Sequence, residues 1–303
     1  MLTGESAQDL GVRVLYNMPQ PTHVQLWDGQ RNILQKFTSA GWAGGKAATK
    51  YEKTVNLNRV KAELGFSAAN YFSMVYEKVS SLVNTHMDDL SGTELEQAET
   101  ALFKQALAEN IRVTMWIGDT SAASGYNTFD GLLKRINGLV DDDGVYNFSY
   151  QAAALEDPAY VVELFDKLWA GADPRIPGLK ADDRLAYFVS SGIYRLYEKY
   201  LDAKGADAAY ADAMNGRRTL AYHGIPVVDV RLGSYLGATS FRQSFVMLTD
   251  RRNLVLAVNT ADMPGNEVRM WYNPDEMENR QRAVFMAGTQ ILDEALISFA
   301  YKQ

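Results

Sequence analysis

The chain of 303 residues contains no cysteine. That excludes disulfides, thiolate zinc sites and cysteine nucleophiles, and with them the small disulfide-stapled folds of secreted proteins. Histidine is nearly as scarce. His23, His86 and His223 lie far apart and none stands in an H-E-x-x-H or H-x-x-x-H spacing, so no histidine metal motif is present. Long apolar runs are also missing: the tightest stretches, such as residues 254–258, hold about five residues, against the roughly 18 a membrane span requires. Met1-Leu2-Thr3-Gly4-Glu5-Ser6 offers neither a basic start nor an apolar segment, so no signal peptide is read there. Nor is there a basic excess. Thirty Lys+Arg against 37 Asp+Glu give a net charge of −7, which argues against a dedicated nucleic-acid binder and leaves room only for a local basic face. The expectation is a soluble chain made in a reducing compartment.

What is present is an ordinary globular composition, 47% hydrophobic and 22% charged, enough for a sizeable core in one large or two modest domains. The first 25 residues lack a helical period, and Pro19-Gln20-Pro21 sets rigid extended steps. An arm lying on another surface, which the folded subunit could spare, and an ordinary terminus both fit. Strand-like stretches at 23–27, 51–57 and 71–75 flank a glycine-rich tip, Ser39-Ala40-Gly41-Trp42-Ala43-Gly44-Gly45-Lys46, which reads as a long hairpin. The tip mimics a phosphate-binding loop but has Ala40 where glycine is needed and Ala47 where the magnesium-binding hydroxyl belongs.

Two overlapping capping boxes, Ser91/Glu94 and Thr93/Glu96, open the strongest helix signal, with Leu95, Ala98, Leu102, Ala106 and Leu107 on one face. The pattern predicts a stop at Asn110 and a strand over 111–117, ended by Gly118-Asp119. A helix follows over 129–139. Asp141-Asp142-Asp143-Gly144 lacks the alternating ligands and closing glutamate of a calcium loop and reads as a solvated turn. The middle block reads as helical: 157–169, 182–201 and 206–214, with a rigid loop at 173–178. From Thr219 short strands take over at 225–230, 245–248, 254–259 and 267–272, and two more lie on either side of 290–294. No nucleophile elbow, dinucleotide fingerprint or singled-out carboxylate pair appears, so no catalytic, cofactor-binding or metal residue is named.

The order of these elements resembles the major capsid protein of tailed bacteriophages, the Hong Kong 97-type α+β fold. Val83-Asn84-Thr85-His86-Met87-Asp88-Asp89-Leu90 leading into the long helix, then Gly118-Asp119 and Phe129-Asp130-Gly131-Leu132-Leu133, is similar to that family's spine helix, glycine-marked loop and next helix. Gly224-Ile225-Pro226-Val227-Val228 is similar to its step out of the central domain. The stretch from Asn279 through Gly288 to Asp293-Glu294-Ala295-Leu296 is similar to its closing pattern. The resemblance implies an N-terminal arm (1–25), an extended β-hairpin loop (26–77), a peripheral domain (78–140 and 245–303) and an axial domain (141–244). It implies a structural protein and not an enzyme, which self-assembles into hexamers and pentamers of an icosahedral head around double-stranded DNA held by non-specific contact. Scaffold, portal and decoration proteins are the further partners it implies, with no membrane, no cofactor and the virion as its place. No scaffolding region precedes the arm, so a separate scaffold or a processed chain is expected. An encapsulin-like compartment shell, a tail or adaptor component and a soluble enzyme with unmarked catalytic carboxylates are the alternatives.

Overall fold

The structure, a computed structural model, describes residues 10–27, 50–67, 94–205, 210–211, 219–233, 235–238, 241–260 and 268–303. The capping boxes, the glycine-rich tip, the strand at 71–75, the 83–90 lead and most of the expected 206–214 helix lie outside these residues.

Helix α1 (Glu94–Ile117) runs for 24 residues without a break. Its length is therefore about 36 Å. The expected strand over 111–117 is the second half of this helix. Asn110 does not stop it, because its Nδ2 donates to the Ala106 carbonyl 2.8 Å away and so stays within the helix. Residues 111–117 are all buried, so the one-sided period that marks a surface helix disappears. Arg112 is accommodated by donating to Glu109 and to the carbonyls of Val230 and Arg231. Helix α2 (Leu132–Asp141) buries Leu132, Leu133, Ile136 and Val140 beside it.

These helices lie under two sheets. The seven-stranded sheet has the order β5-β14-β10-β6-β9-β8-β7. Its strands are β5 (Tyr146–Tyr150), β6 (Leu185–Val189), β7 (Tyr210–Ala211), β8 (Thr219–Tyr222), β9 (Ile225–Asp229), β10 (Phe245–Asp250) and β14 (Ser298–Lys302). Ala186, Phe188, Phe245, Met247 and Phe299 pack on α1, and Leu185, Tyr187, Val189, Val246 and Leu248 face the opposite helices. Those helices are α3 (Tyr160–Ala170), α4 (Ile176–Ala181) and α5 (Ser191–Ala203). The single helix expected over 182–201 is thus split: Leu-Ala-Tyr-Phe-Val at 185–189 is a central strand buried on both faces, where a continuous apolar run replaces alternation. Helix α4 also occupies part of the expected rigid loop, with Pro177 in the first turn, where a missing N–H costs nothing. The two described residues within 206–214 that carry structure, Tyr210 and Ala211, pair with β8 as a strand.

The five-stranded sheet contains β1 (Arg13–Tyr16), β4 (Asn58–Ser67), β11 (Leu254–Asn259), β12 (Arg269–Asn273) and β13 (Glu278–Ile291). The 14-residue β13 is its axis. On one edge β13 pairs β11 over 286–291 and β12 over 278–282, and on the other it pairs β4 over 278–287. Strand β4 is not among the expected elements, although its polar and apolar residues alternate over 59–64. The hairpin of β2 (Thr22–Trp27) and β3 (Lys50–Val55) rests on the face away from α1 through Val24, Val55, Leu57, Val255, Ala257 and Met286.

The chain passes between the sheets at 251–253 and again at 292–297, and Asn253 ties the two crossings together. Its Nδ2 donates to the Asp293 carbonyl at 2.8 Å, its Oδ1 accepts from the Asp293 N–H at 2.7 Å, and its own carbonyl accepts from Leu292 at 3.0 Å. Where β8 turns into β9, His223 and Gly224 both adopt positive φ, the two-residue turn that suits a twisted hairpin.

Residues 10–16, inside the expected arm, rest on their own chain. Strand β1 pairs parallel to β11, and Leu10 and Val12 are buried in the central core. This stretch is therefore not spare. Replacing both Leu10 and Val12 by alanine is expected to cost about 4 kcal/mol of folding stability, read by denaturant unfolding. A double variant that unfolds at the wild-type denaturant concentration would show that the arm can be spared by the folded subunit.

Candidate functional site

Among the described residues no group of three or more His, Asp and Glu side chains is arranged to hold a metal ion. His23 stands on β2, its Nδ1 2.5 Å from Glu52, and His223 is part of the β8–β9 turn; they belong to different sheets. His86 lies outside the described residues. Asp141 and Asp142 close α2, Asp141 pairs with Arg242 at 2.9 Å, and the Gly144 N–H returns to the Leu139 carbonyl at 2.7 Å. The acidic run is a helix-ending turn.

The features that point outward are surfaces. The first is the β2–β3 hairpin. Its base is fixed by the apolar cluster, by Lys53 on Glu294 at 2.7 Å and by the Gln290 side chain donating to the Thr54 carbonyl at 2.9 Å. Gly288 makes the seating possible, because a Cβ there would stand 2.1 Å from the Asn56 carbonyl oxygen. Further along the hairpin Tyr51 is 56% exposed.

The second surface is the far end of the five-stranded sheet, where β13 runs beyond β11 between β12 and β4. One face carries Val60, Ala62, Ala283 and Phe285 onto α1. The other carries Arg59, Lys61, Glu63, Arg269 and Arg282, all exposed. Arg282 lies over the Trp271 ring with its guanidinium carbon 5.7 Å from the centroid, and Val268, Arg269, Met270, Trp271 and Arg282 line an open groove of about 440 Å³. This is the local basic face the overall charge had left open.

The third is the loop joining α1 to α2. Gly118 and Gly131 meet backbone to backbone, the Gly131 N–H donating to the Gly118 carbonyl at 2.8 Å. A Cβ on Gly131 would lie 2.5 Å from the Gly118 nitrogen and 2.6 Å from the Trp116 oxygen. The Lys134 ammonium bridges Asp119 at 2.7 Å and Asp130 at 2.6 Å. The Lys134 bond, aided by Ser121 donors, holds the Asp119 carboxyl down at about 2. Asp130 is raised by burial but lowered more by Lys134 and Thr120, and ends below the usual carboxylate range. Burial pulls the Lys134 ammonium down, and the two carboxylates outweigh it and raise it. This polar lock fixes the loop.

No family model matches the chain, and no curated protein matches it. Solved structures do. A chain of Gordonia phage Cozz is similar over 98% of this chain and 86% of its own, at 11% identity and a TM-score of 0.55. A chain of the satellite phage P4 procapsid that includes the size-determination protein is similar over 98% and 96%, at 11% identity and a TM-score of 0.56. A chain of the capsid of the native GTA particle is similar over 100% and 91%, at 12% identity and a TM-score of 0.53. The chain has the Hong Kong 97-type capsid fold. Of the parts the sequence resemblance rested on, the long helix and the glycine-marked loop are in place, the strand expected over 111–117 is the end of that helix, and the 83–90 lead lies outside the described residues.

Two predictions follow from the loop. Gly131→Val should cost more than about 3 kcal/mol or abolish soluble expression, while Gly138→Ala, with nothing within 4 Å of its added Cβ, should be neutral or stabilising by up to about 1 kcal/mol. Thermal unfolding of both variants reads the difference. Asp119→Asn should cost about 1–2 kcal/mol at pH 7. Because the folded carboxyl is depressed from 3.8 to about 2, the gap between wild type and variant should close as pH falls from about 4 to about 2.

Proposed function

We propose that this chain is a major capsid protein, a structural subunit that self-assembles into hexamers and pentamers of an icosahedral phage head enclosing double-stranded DNA. The observation that carries this is the reach of the likeness: 98% of this chain and 96% of the procapsid chain correspond, so the whole molecule, and not one shared module, has the shell architecture. The subunit's own form agrees. A core built by α1 and two sheets carries a hairpin and a sheet end that extend past it, and extended pieces of this kind gain stability on neighbouring copies.

In this reading residues 1–25 are the arm, although 10–16 of them also brace the subunit, and 26–77 form the extended loop. Residues 78–140 with 245–303 make the peripheral domain and 141–244 the axial domain. Strands β10 and β14, from the last segment, sit inside the seven-stranded sheet, so the two domains share a sheet and do not part cleanly. Packaged DNA is met by non-specific contact, and scaffold, portal and decoration proteins are the outside partners.

Negative-stain electron microscopy with sedimentation velocity on the purified chain tests the proposal. Closed shells, or hexamers and pentamers of wedge-shaped subunits, are expected. Shells filled with protein and free of nucleic acid after expression would transfer the reading to an encapsulin-like compartment. A compact monomer or dimer whose melting temperature rises with a small molecule would overturn it in favour of an enzyme. Tyr51→Asp should leave the melting temperature of the subunit within about 2 °C of wild type, since the ring packs on nothing in the core, and should lower shell yield severalfold.

A further inference from the structure

Strand β4 is ten residues long and pairs with β13 along one edge only. Among the described residues no strand or loop hydrogen-bonds to its other edge. An edge of this length is a template for another strand, and proteins that leave one open usually blunt it with charged side chains, proline, a bulge or a helix cover; here only the charges are present. Residues 58–67, Asn-Arg-Val-Lys-Ala-Glu-Leu-Gly-Phe-Ser, contain no proline, and all ten pair β13 in unbroken register. Leu64 on this strand is 48% exposed.

The side chains along the edge are complementary to themselves. When two antiparallel strands meet across a two-fold axis, directly opposed residues point to the same face, so the axis must pass through one residue and its own copy. Through Lys61 the axis would oppose two ammonium groups, and through Glu63 two carboxylates. Through Ala62 it opposes two methyl groups. Lys61 then faces Glu63 of the second copy twice over on the exposed face. Val60 faces Leu64 of the second copy twice over on the face shared with α1, and Arg59 faces the uncrowded Gly65. Lys61 and Glu63 already meet within one copy, 2.8 Å apart and both exposed, so each ion pair can be shared with the second copy without desolvating an unpaired charge.

We propose that β4 is a self-complementary docking edge, which pairs with β4 of a second copy of this chain about a two-fold axis at Ala62 and joins two five-stranded sheets into one continuous sheet. The interaction needs no shell, and it stands or falls apart from the assembly reading. Its specificity comes from opposite charges and apolar pairs set across strands, with the backbone ladder supplying most of the attraction.

The absence of cysteine makes the test clean. Ala62→Cys is expected to form a disulfide-linked dimer under mild oxidation of the purified chain, since opposed residues have Cβ atoms about 5 Å apart. Arg59→Cys should stay unlinked, because six residues of offset at about 3.4 Å each place it roughly 20 Å from its own copy. Non-reducing gels with peptide mapping read both. Equal linking of the two variants, or none with Ala62→Cys, overturns the proposal. A second measurement leaves the core side of the strand untouched. By sedimentation equilibrium, Lys61→Glu should weaken dimerisation about tenfold, and adding Glu63→Lys should restore it. A double variant no better than the single one overturns the proposal. A compact dimer that is stabilised by a small molecule yet links through Ala62→Cys supports this edge while removing the shell reading. Shells whose Ala62→Cys subunits stay unlinked do the reverse.

Discussion

The last turn of α1 lies where both sheets need the same apolar surface, and the subunit is built around that conflict. Met115, Trp116 and Ile117 are almost wholly buried, and Trp116 packs on Phe188 and Phe245 with centroids 5.7 and 6.4 Å away. The same cluster reaches Leu254, Leu256 and Phe285 of the other sheet. One helix end thus supplies the floor of two sheets, and neither could close its core without it. The polar side follows from the same constraint. A chain that leaves this turn must reverse at once, which is why Gly118 and Gly131 touch and why Lys134 is held between two carboxylates.

Burial concentrated at one end leaves the other parts reaching outward. The far half of β13 runs beyond β11, and among the described residues the β2–β3 hairpin meets the subunit through Val24, Val55 and Leu57. A monomer built for its own stability would shorten these pieces. Their retention, with Tyr51, Leu64 and Trp271 exposed along them, is the physical reason to regard the isolated subunit as part of something larger. The charges on the open sheet face are consistent with this: they keep the edge soluble while allowing defined pairing.

Much of the architecture was legible residue by residue. Helix α2, the strands β10, β11, β13 and β14, the β8–β9 turn and the order that resembles a capsid subunit follow from patterns that local chemistry enforces. The misreadings share one cause. At 111–117 and at 185–189 the chain is buried on every side; at 185–189 the run is wholly apolar and has no period, and at 111–117 the buried Arg112 and Thr114 alternate with Ile111, Val113 and Met115 and imitate a strand. Strand β4 was missed although its sign is there: Arg59, Lys61 and Glu63 alternate with Val60, Ala62 and Leu64, the period of a half-exposed strand. The surfaces offered as sites have no signature motif at all, since an interface between copies is a matter of shape and spacing.

The sequence by itself determined the absence of cysteine chemistry, the α+β character and much of the ordering of elements, because residue type and near-neighbour spacing are enough for those. The tertiary structure decided which apolar segment became helix and which became strand, that residues 10–16 belong to the core, and that β13 is the axis, flanked by β11 and β12 on one side and β4 on the other. Those outcomes depend on contacts between residues far apart in the chain, Arg112 with Val230 and Asn253 with Asp293 among them. The energy of such contacts exists only once the distant partners are already in place.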